Sequence, residues 1–386
     1  MSESVMLVLI GGRSAVPAIA GALQFLDKVD RVKFLLCDGN DYPKFQENVE
    51  KVLKQEQRNL LCDKITDVKI VNPNKFDDVY KAVDELCNGV KDLKYVNLTT
   101  APQIMAFSVY SYVLKEYKEA LVFNVNTDIS QINPLVFGKE ATSFNKPLSV
   151  ENYLAMYGLN IFKKNTGKNE ADSVAQYFGK KVNISRQILS IIRSDAKGAD
   201  SIKAPRGFNI TRDKFKKLEV LDNDLETFFE LLAKAEIIQN LQQSEREIKF
   251  KIPTNENYAF LAGEWLELYV YLSALECKFD SVAMGVELDN YKGELDVFCL
   301  NNANAMICEC KTGGFKSEDL SKLNSKAEKL GGNYCVKLFI TSDVKVSEEF
   351  LNKAKNDKIV VVQGDNFSDL TNILKKEMEK PTYPRR

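Results

Sequence analysis

The stretch GELDVFCLNNANAMICECK, residues 293–311, decides the fold of the C-terminal part of this chain. Its apolar and charged residues alternate with the period of two that is typical of a β-strand. The alternation predicts two strands, and the segment between them, 301–304, is rich in residues that tolerate a tight turn. On the first strand, one face carries Glu294, Asp296 and Phe298. The opposite face carries Leu295 and Val297.

The return strand adds further charged residues to the same region. Its alternation puts Glu309 and Lys311 on one face and Cys308 and Cys310 on the other. If the two strands pair in antiparallel fashion, Asp296 lies beside Glu309 and Lys311, while the two cysteines point into a core.

Two carboxylates and one lysine can hydrolyse a phosphodiester without histidine. Asp296 and Glu309 would hold Mg²⁺ or Mn²⁺ through oxygen ligands. The metal lowers the pKa of a bound water, and Lys311 would orient that water or stabilise developing negative charge. An exposed ion pair on a two-stranded ribbon is the alternative. Charges inside otherwise apolar strands are costly to desolvate, so they are not expected there without a function. This cost favours the metal site over the exposed ion pair.

A second acidic candidate lies upstream, in the helical pattern GEWLELYVYL, residues 263–272. At helical spacing, Glu264 and Glu267 share one stripe, whereas Trp265 faces the apolar side and is expected in the core. We choose Glu267 over Glu264 as the helix carboxylate that adds a metal ligand.

The composition excludes many mechanisms. The 386 residues include 53 basic and 54 acidic side chains and no histidine. Catalytic triads with histidine, histidine-ligated zinc and histidine-dependent nucleases are therefore excluded. Any change of activity between about pH 6 and 8 is expected from metal-bound water or substrate, because no side chain of ordinary pKa titrates there.

The pattern of cysteines and apolar runs indicates a cytoplasmic protein. Eight scattered cysteines without a CxxC pair read as reduced core residues. We see neither a secretory signal nor an apolar run of membrane-spanning length, so we expect no membrane association.

The chain divides into three predicted parts, and the predicted fold class is α/β. Residues 1–145 alternate buried-looking strands with amphipathic helices, one of them at 45–54, which predicts a Rossmann-like, doubly wound parallel sheet. Residues 146–245 read as a helical connector with few strands. Residues 246–386 return to mixed α/β, and the tail at 380–386 is expected to be frayed.

Two loops of the first part are candidates for binding a ligand. Both follow predicted parallel strands, whose carboxyl ends are the usual ligand edge of an open α/β sheet. The residues expected to line the pocket are Gly12, Arg13, Ser14, Thr99, Thr100 and Gln103. Turn formation and helix capping explain Gly11 and Pro102 individually. A dinucleotide cofactor is the weaker interpretation, because the chain has no GxGxxG motif here.

The middle part contains a basic segment, KAPRGFNITRDKFKK at 203–217. Its basic residues, with Phe208 and Phe215 interleaved, would suit the backbone of a nucleic acid. A solvated basic loop explains the segment equally well.

The C-terminal motifs together resemble a known family. GEWLELYVY, GELDVFCL, MICECKTGG and KLNSKAEKLGGNY resemble the restriction-endonuclease-like PD-(D/E)xK nucleases, and in particular the nuclease domain of CRISPR-associated CARF effectors of type III systems. The resemblance implies a restriction-endonuclease-like fold for 246–386. It also implies that Asp296, Glu309 and Lys311 occupy the catalytic positions and that Glu267 is the helix acid.

The N-terminal segment YVNLTTAPQIMAFSVYSY resembles the second ligand-binding stretch of CARF domains. It keeps the asparagine and threonine, but it has Thr100-Ala101-Pro102-Gln103 where glycines and a lysine are usual. The resemblance implies a homodimer that binds a cyclic oligoadenylate, with cyclic tetra-adenylate expected, and then cleaves DNA or RNA. Two alternatives remain open: a repair- or restriction-type nuclease that is not gated by a nucleotide, and a nucleotide-sensing DNA-binding regulator without catalysis.

Overall fold

The N-terminal sheet is built around two strands, 4–10 and 31–37, that are buried on both faces. In the computed structural model, which describes residues 3–11, 14–38, 48–49, 52, 65–165, 169–196, 204–289, 293–331 and 335–385, the strand order is β3-β2-β1-β4-β5-β6-β7. The strands are β1 (Ser4–Ile10), β2 (Arg31–Cys37), β3 (Ile65–Val71), β4 (Asp92–Asn97), β5 (Leu121–Asn126), β6 (Gln131–Pro134) and β7 (Thr142–Ser143).

The first five of these strands are parallel, and β6 and β7 add an antiparallel edge. Helices α1 (Val16–Phe25), α2 (Phe76–Cys87) and α3 (Gln103–Glu116) connect the parallel strands, as parallel pairing requires. Alternate residues of β1 belong to different hydrophobic clusters on the two sides of the sheet. The doubly wound prediction is therefore confirmed, whereas the helix predicted at 45–54 lies largely outside the described residues.

The middle part contains more strand than its sequence pattern indicated. Its elements are α4 (Val150–Met156), β8 (Ile161–Asn165), α5 (Asn169–Lys180), α6 (Val182–Ala196), β9 (Arg206–Thr211), α7 (Arg212–Lys216), α8 (Asp222–Lys234) and β10 (Gln239–Gln243). Strands β10 and β9 flank β11 (Glu247–Ile252) in a small antiparallel sheet. This sheet crosses the boundary that we had placed at 245/246, because β9 and β11 pair across it.

The basic segment at 203–217 is largely part of this small domain. Phe208 is buried and stacks on Phe250 with ring centroids 5.0 Å apart, and Phe215 is fully buried. Arg212 is buried as well and donates to Ser244 O (2.7 Å) and Asp222 Oδ1 (2.7 Å). The two aromatic rings interleaved in this segment therefore fill the core of the sheet, and only its basic residues remain available for the backbone of a nucleic acid.

The C-terminal sheet has the order β16-β15-β14-β13-β12-β8. Its own elements are α9 (Asn255–Ala259), a π-helical turn (Phe260–Glu264), α10 (Trp265–Glu276), β12 (Ser281–Leu288), β13 (Glu294–Asn301), β14 (Asn304–Lys311), α11 (Ser317–Leu330), β15 (Cys335–Thr341), α12 (Glu348–Asn356), β16 (Val360–Val362) and α13 (Leu370–Glu379). Strands β14, β15 and β16 are parallel, and the others are antiparallel.

The two faces of this sheet pack against different partners. Trp265 and Cys308 belong to one hydrophobic cluster, together with α5 and α13. The opposite face packs against α11 in a cluster that also contains Tyr153 of α4 and one face of the N-terminal sheet. The N-terminal and C-terminal sheets thus share a continuous core. The core position predicted for Trp265 is confirmed.

The C-terminal tail is held in place. Arg385 donates to Asp128 Oδ1 (2.9 Å) in the N-terminal domain and to Met378 O (2.6 Å), and the buried Glu377 accepts from the backbone N–H of Thr382 (2.7 Å). The expectation of a frayed tail is wrong for residues 380–385, because these polar contacts hold the tail against both domains. In the described part of the chain, no helix combines the length and apolar character needed to cross a bilayer.

Candidate active site

The predicted charged residues meet where β13 and β14 separate. Their paired register ends with Val297 opposite Cys308. One position further, Asp296 Oδ2 accepts a hydrogen bond from the backbone N–H of Cys310 (2.7 Å). A carboxylate therefore replaces the strand carbonyl that would otherwise satisfy this donor.

Lys311 joins the two carboxylates. Its Nζ lies 2.9 Å from Glu309 Oε1 and 3.6 Å from Asp296 Oδ2. Asp296 and Glu309 are only 6% and 4% exposed, whereas the Lys311 side chain is 33% exposed. The structure thus brings together the three residues that the strand alternation predicted, with Lys311 on the solvent side.

The alternation itself is interrupted at this point. Leu295 packs in the same hydrophobic cluster as Phe298, whereas Val297 packs in the other cluster together with Cys308 and Cys310. The prediction that Leu295 and Val297 share a face is therefore wrong. Simple alternation fails where β13 leaves β14 and Asp296 turns toward the backbone of its former partner strand. The core position predicted for the two cysteines is confirmed.

A second lysine contacts Glu309 from the other side. Lys326 of α11 places Nζ 2.6 Å from Glu309 Oε2, so each oxygen of this carboxylate is bound by a different ammonium group. Lys326 was not among the predicted residues. The sequence feature that could have identified Lys326 is its position at the edge of the apolar stripe of α11, where a charge needs a partner. The buried residues of this stripe are Leu320, Leu323, Ala327 and Leu330.

Burial and crowded negative charge change the acidity of two carboxyl groups. Burial, followed by the repulsion from Glu309, raises the pKa of Asp296 to about 6. Burial, followed by the charges of Asp296 and Glu294, raises the pKa of Glu267 to about 8. Contrary to the expectation from composition, this chain therefore has groups that titrate between about pH 6 and 8 in the absence of a cation.

Lys311 remains a cation in this environment. Burial acts to lower its pKa, but the neighbouring carboxylates Asp296 and Glu309 outweigh burial, and the pKa is raised. Lys311 can therefore donate hydrogen bonds and stabilise negative charge at neutral pH, whereas it is a poor general base.

Hydrogen bonds connect the start of α10 to Thr312, which directly follows β14. A π-helical turn at Phe260–Glu264 precedes the helix, and Ala262 O accepts from Thr312 Oγ1 (3.0 Å). Arg193 of the connector helix α6 donates to the same carbonyl (3.2 Å). A Cβ on Gly263 would lie 3.2 Å from Thr312 Oγ1, so the glycine permits this close approach. These contacts position Glu267 near the strand that carries Lys311.

The donor set fits a hard divalent cation that keeps part of its water shell. Asp296 and Glu309 offer carboxylate oxygens, and a cation would offset both the burial and the repulsion from Glu309 that raise the pKa of Asp296. Within the described ranges, no three acidic or cysteine side chains converge into a ready-made metal site. Glu267 therefore does not form a compact set of three ligands with Asp296 and Glu309, although it was expected to add a metal ligand. Binding through two carboxylates and water is the mode that Mg²⁺ prefers.

A cavity of about 610 Å³ lies at the carboxyl ends of β1, β4 and β5. Its volume falls within the usual range for small-molecule sites. One wall comes from the N-terminal loops, another from Tyr153 and Tyr157 around α4, and a third from Ala303, Asn304 and Ala305, the turn between β13 and β14. The cavity therefore touches both domains.

The predicted pocket residues are partly in this cavity. Ser14, Thr99 and Thr100 line it, and Gln103 does not; Gly12 and Arg13 lie outside the described residues. Gln103 begins helix α3 and is exposed. Thr99 Oγ1 accepts from the backbone N–H of Val125 (3.0 Å), so one predicted ligand group also holds the loop together.

The sequence reasoning missed the polar residues contributed by β5 and by the hairpin turn. Asn124 lines the cavity, and its Oδ1 is a buried acceptor for which the described residues supply no hydrogen-bond donor. Such an atom is costly to bury unless a water or ligand donates to it. Asn304 Nδ2 donates to Thr127 O (3.0 Å), and the hydroxyl of Thr127 lies 3.2 Å from Asn304 Oδ1. The turn is thus bonded to the β5 loop.

Comparison by family model supports an endonuclease domain at the C-terminus. Residues 254–380 match the model described as "Card1-like, endonuclease domain". This range contains the four predicted catalytic residues and Lys326. A search of curated proteins found no match.

Solved structures share the fold of almost the whole chain. Protein VC1899 from Vibrio cholerae superposes with a TM-score of 0.75 at 16% identity, covering 99% of each chain. Can2 from Sulfobacillus thermosulfidooxidans, solved with cyclic tetra-adenylate, gives a TM-score of 0.68 at 20% identity over 97% of this chain and 98% of Can2. A type III CRISPR defence DNA nuclease activated by cyclic oligoadenylate gives 0.51 at 14% identity, covering 88% of this chain and 45% of that one.

These findings confirm the resemblance inferred from the sequence. Because the identities are low, the structural matches establish the fold, and the family model supports the nuclease activity. The chain shares its fold with VC1899 and Can2, and its residues 254–380 match the Card1-like endonuclease domain family.

Proposed function

We propose that this protein is a metal-dependent endonuclease of type III CRISPR defence that is switched on by a cyclic oligoadenylate. The observation that carries the proposal is the shared wall of the cavity. The turn of the β13–β14 hairpin lines the cavity, and the other end of the same hairpin holds Asp296 and Glu309. A ligand in the cavity therefore contacts the element that carries the active site.

The chemistry assigned to this site is hydrolysis of a DNA or RNA phosphodiester. Asp296 and Glu309 would hold Mg²⁺ or Mn²⁺, which supplies an activated water and neutralises charge on the phosphate. Lys311, kept protonated by its two carboxylate neighbours, would donate to the phosphate oxygen that gains negative charge. Glu267 would lie at the edge of the site and support it from helix α10 without a direct ligand bond, because burial raises its pKa to about 8.

The activator proposed is cyclic tetra-adenylate. Can2, which has the same fold, was solved in complex with this ligand. The cavity offers groups suited to a nucleotide: hydroxyls of Ser14 and Thr100 at the strand ends, the unsatisfied acceptor Asn124 Oδ1 and the ring of Tyr157. An adenine amino group is a donor that could satisfy such an acceptor.

We further propose a homodimer formed through the N-terminal domains. Ile104, Phe107 and Leu114 of α3 are exposed, and their spacing places them on one face of the helix. An apolar face of this kind beside the ligand edge suits pairing with a second copy. The three-part division at 1–145, 146–245 and 246–386 remains our working description. The cysteines in the described ranges are unpaired, in keeping with a cytoplasmic protein.

The decisive experiment measures cleavage by the purified full-length protein. Labelled single- and double-stranded DNA and RNA are incubated with Mn²⁺ or Mg²⁺, each without activator and with cyclic tri-, tetra- or hexa-adenylate. We expect cleavage that requires the divalent cation and rises with cyclic tetra-adenylate.

Other outcomes separate the alternatives. Equal cleavage without any activator would favour a nuclease that is not gated. Absence of cleavage under every condition, together with binding of a cyclic oligoadenylate, would favour the non-catalytic regulator.

A further inference from the structure

Lys326 is a buried cation next to a proposed metal ligand. Its side chain is only 12% exposed, and its Nζ lies 2.6 Å from Glu309 Oε2. Burying an ammonium group is unfavourable unless a partner compensates for the lost hydration. Glu309, itself buried, is that partner, so the two residues hold each other in one geometry.

The two lysines at Glu309 are not equivalent. Lys311 binds Oε1 and also faces Asp296, so it occupies the side of Glu309 on which a cation shared with Asp296 would bind. Lys326 binds Oε2, the other oxygen of the same carboxylate, and comes from a separate element, helix α11. A divalent cation can therefore replace the contacts of Lys311 without displacing Lys326.

The charges of the site favour a single divalent cation. When ionised, Asp296 and Glu309 carry two negative charges, which the positive charges of Lys311 and Lys326 balance. One divalent cation changes this net charge of zero to plus two. A second would raise it to plus four, and buried like charges are screened little by solvent.

We propose that Lys326 is a positioning residue that holds Glu309 and takes the place of a second metal ion, so that each active site binds one divalent cation. This inference rests on the proposed metal dependence. Lys326 both orients a metal ligand and repels the metal ion. Removing Lys326 should therefore tighten metal binding and yet slow cleavage.

The test is isothermal titration of Mn²⁺ into the full-length protein. We expect one Mn²⁺ per chain for the wild type. Lys326→Met should bind Mn²⁺ at least about tenfold more tightly, because a buried positive charge near the cation is lost. Its activated kcat should fall about 10- to 100-fold, because Glu309 loses its fixed orientation. Lys326→Arg should retain values close to wild type.

Two further variants make the test specific. Lys322→Met removes an exposed lysine one turn earlier on the same helix and should change neither Mn²⁺ affinity nor kcat. Lys326→Gln keeps a hydrogen-bond donor without the charge, and it serves if thermal unfolding shows that Lys326→Met is poorly folded. We expect it to tighten Mn²⁺ binding with a smaller loss of kcat.

The results distinguish the two levels of the proposal. If the wild type binds no Mn²⁺, the proposed metal dependence fails and the role of Lys326 fails with it. If the wild type binds two ions per chain, or if folded Lys326→Met and Lys326→Gln bind Mn²⁺ with unchanged or weaker affinity, the role of Lys326 is refuted and the nuclease function stands.

Discussion

Replacing Asn304 with alanine should uncouple the ligand cavity from the nuclease site. Asn304 begins β14 at the cavity end of the hairpin and is buried. Its side chain exchanges two contacts with Thr127, at 3.0 Å and 3.2 Å. Glu309 lies five residues further along the same strand, roughly 17 Å away at the rise of a β-strand. Movement of the β5 loop by a ligand can therefore reach Glu309 through one rigid strand.

The magnitude follows from the contacts that are lost. A hydrogen bond between uncharged groups contributes about 0.5–1.5 kcal/mol net, so two contribute about 1–3 kcal/mol. Coupling free energies of that size correspond to about 5- to 150-fold in an equilibrium. We expect the ratio of cleavage rates with and without saturating cyclic tetra-adenylate to fall by a factor within this range in Asn304→Ala.

The assay must separate coupling from binding, because Asn304 also lines the cavity. Rates are therefore compared at saturating activator, and the affinity for the activator is measured separately by calorimetry. Thr127→Val keeps the shape of Thr127 and removes only its hydroxyl, so a double-mutant cycle with Asn304→Ala isolates the contact between these side chains. If the wild type is activated and folded Asn304→Ala is activated to the same extent, coupling through this contact is refuted.

Three other predictions test the site and the fold. Lys311→Met should reduce cleavage about 10²- to 10³-fold, the usual effect of losing a group that stabilises developing charge, while activator affinity stays unchanged; retained cleavage would place the active site elsewhere. In EDTA, folded Glu267 keeps a proton that the unfolded chain loses, since its pKa rises from 4.5 to about 8 on folding, so thermal stability should fall as pH rises from about 5 to 8. Glu267→Gln should lessen this fall, and an unchanged pH profile would contradict the raised pKa. Phe208→Ala should lower the free energy of unfolding by about 3–5 kcal/mol without changing the DNA affinity of the folded protein; weaker DNA binding at unchanged stability would show that Phe208 contacts the nucleic acid instead.

The proximity of Asp296, Glu309 and Lys311 could be predicted from the sequence because it depends on two strands that are adjacent in the chain. Asp296 and Glu309 belong to adjacent strands joined by a tight turn, so their proximity follows from strand period and antiparallel pairing. The same reasoning failed at Leu295, since alternation assumes a continuous ladder and β13 separates from β14 there. The strand β9 and the burial of Phe208 were hard to see in the sequence because basic residues flank a short strand in which only Phe208 and Ile210 are buried.

By itself, the sequence determined which chemistry is available to this protein. The absence of histidine excludes imidazole catalysis, and the periodicity of 293–311 places two acids and a lysine on neighbouring strands. Only the tertiary structure decided that Lys326, on a separate helix, binds Glu309. It also decided that the hairpin turn closes a cavity of the N-terminal domain. Periodicity describes one element at a time, whereas these contacts depend on how elements distant in sequence pack against each other, and that arrangement is set by the shared core.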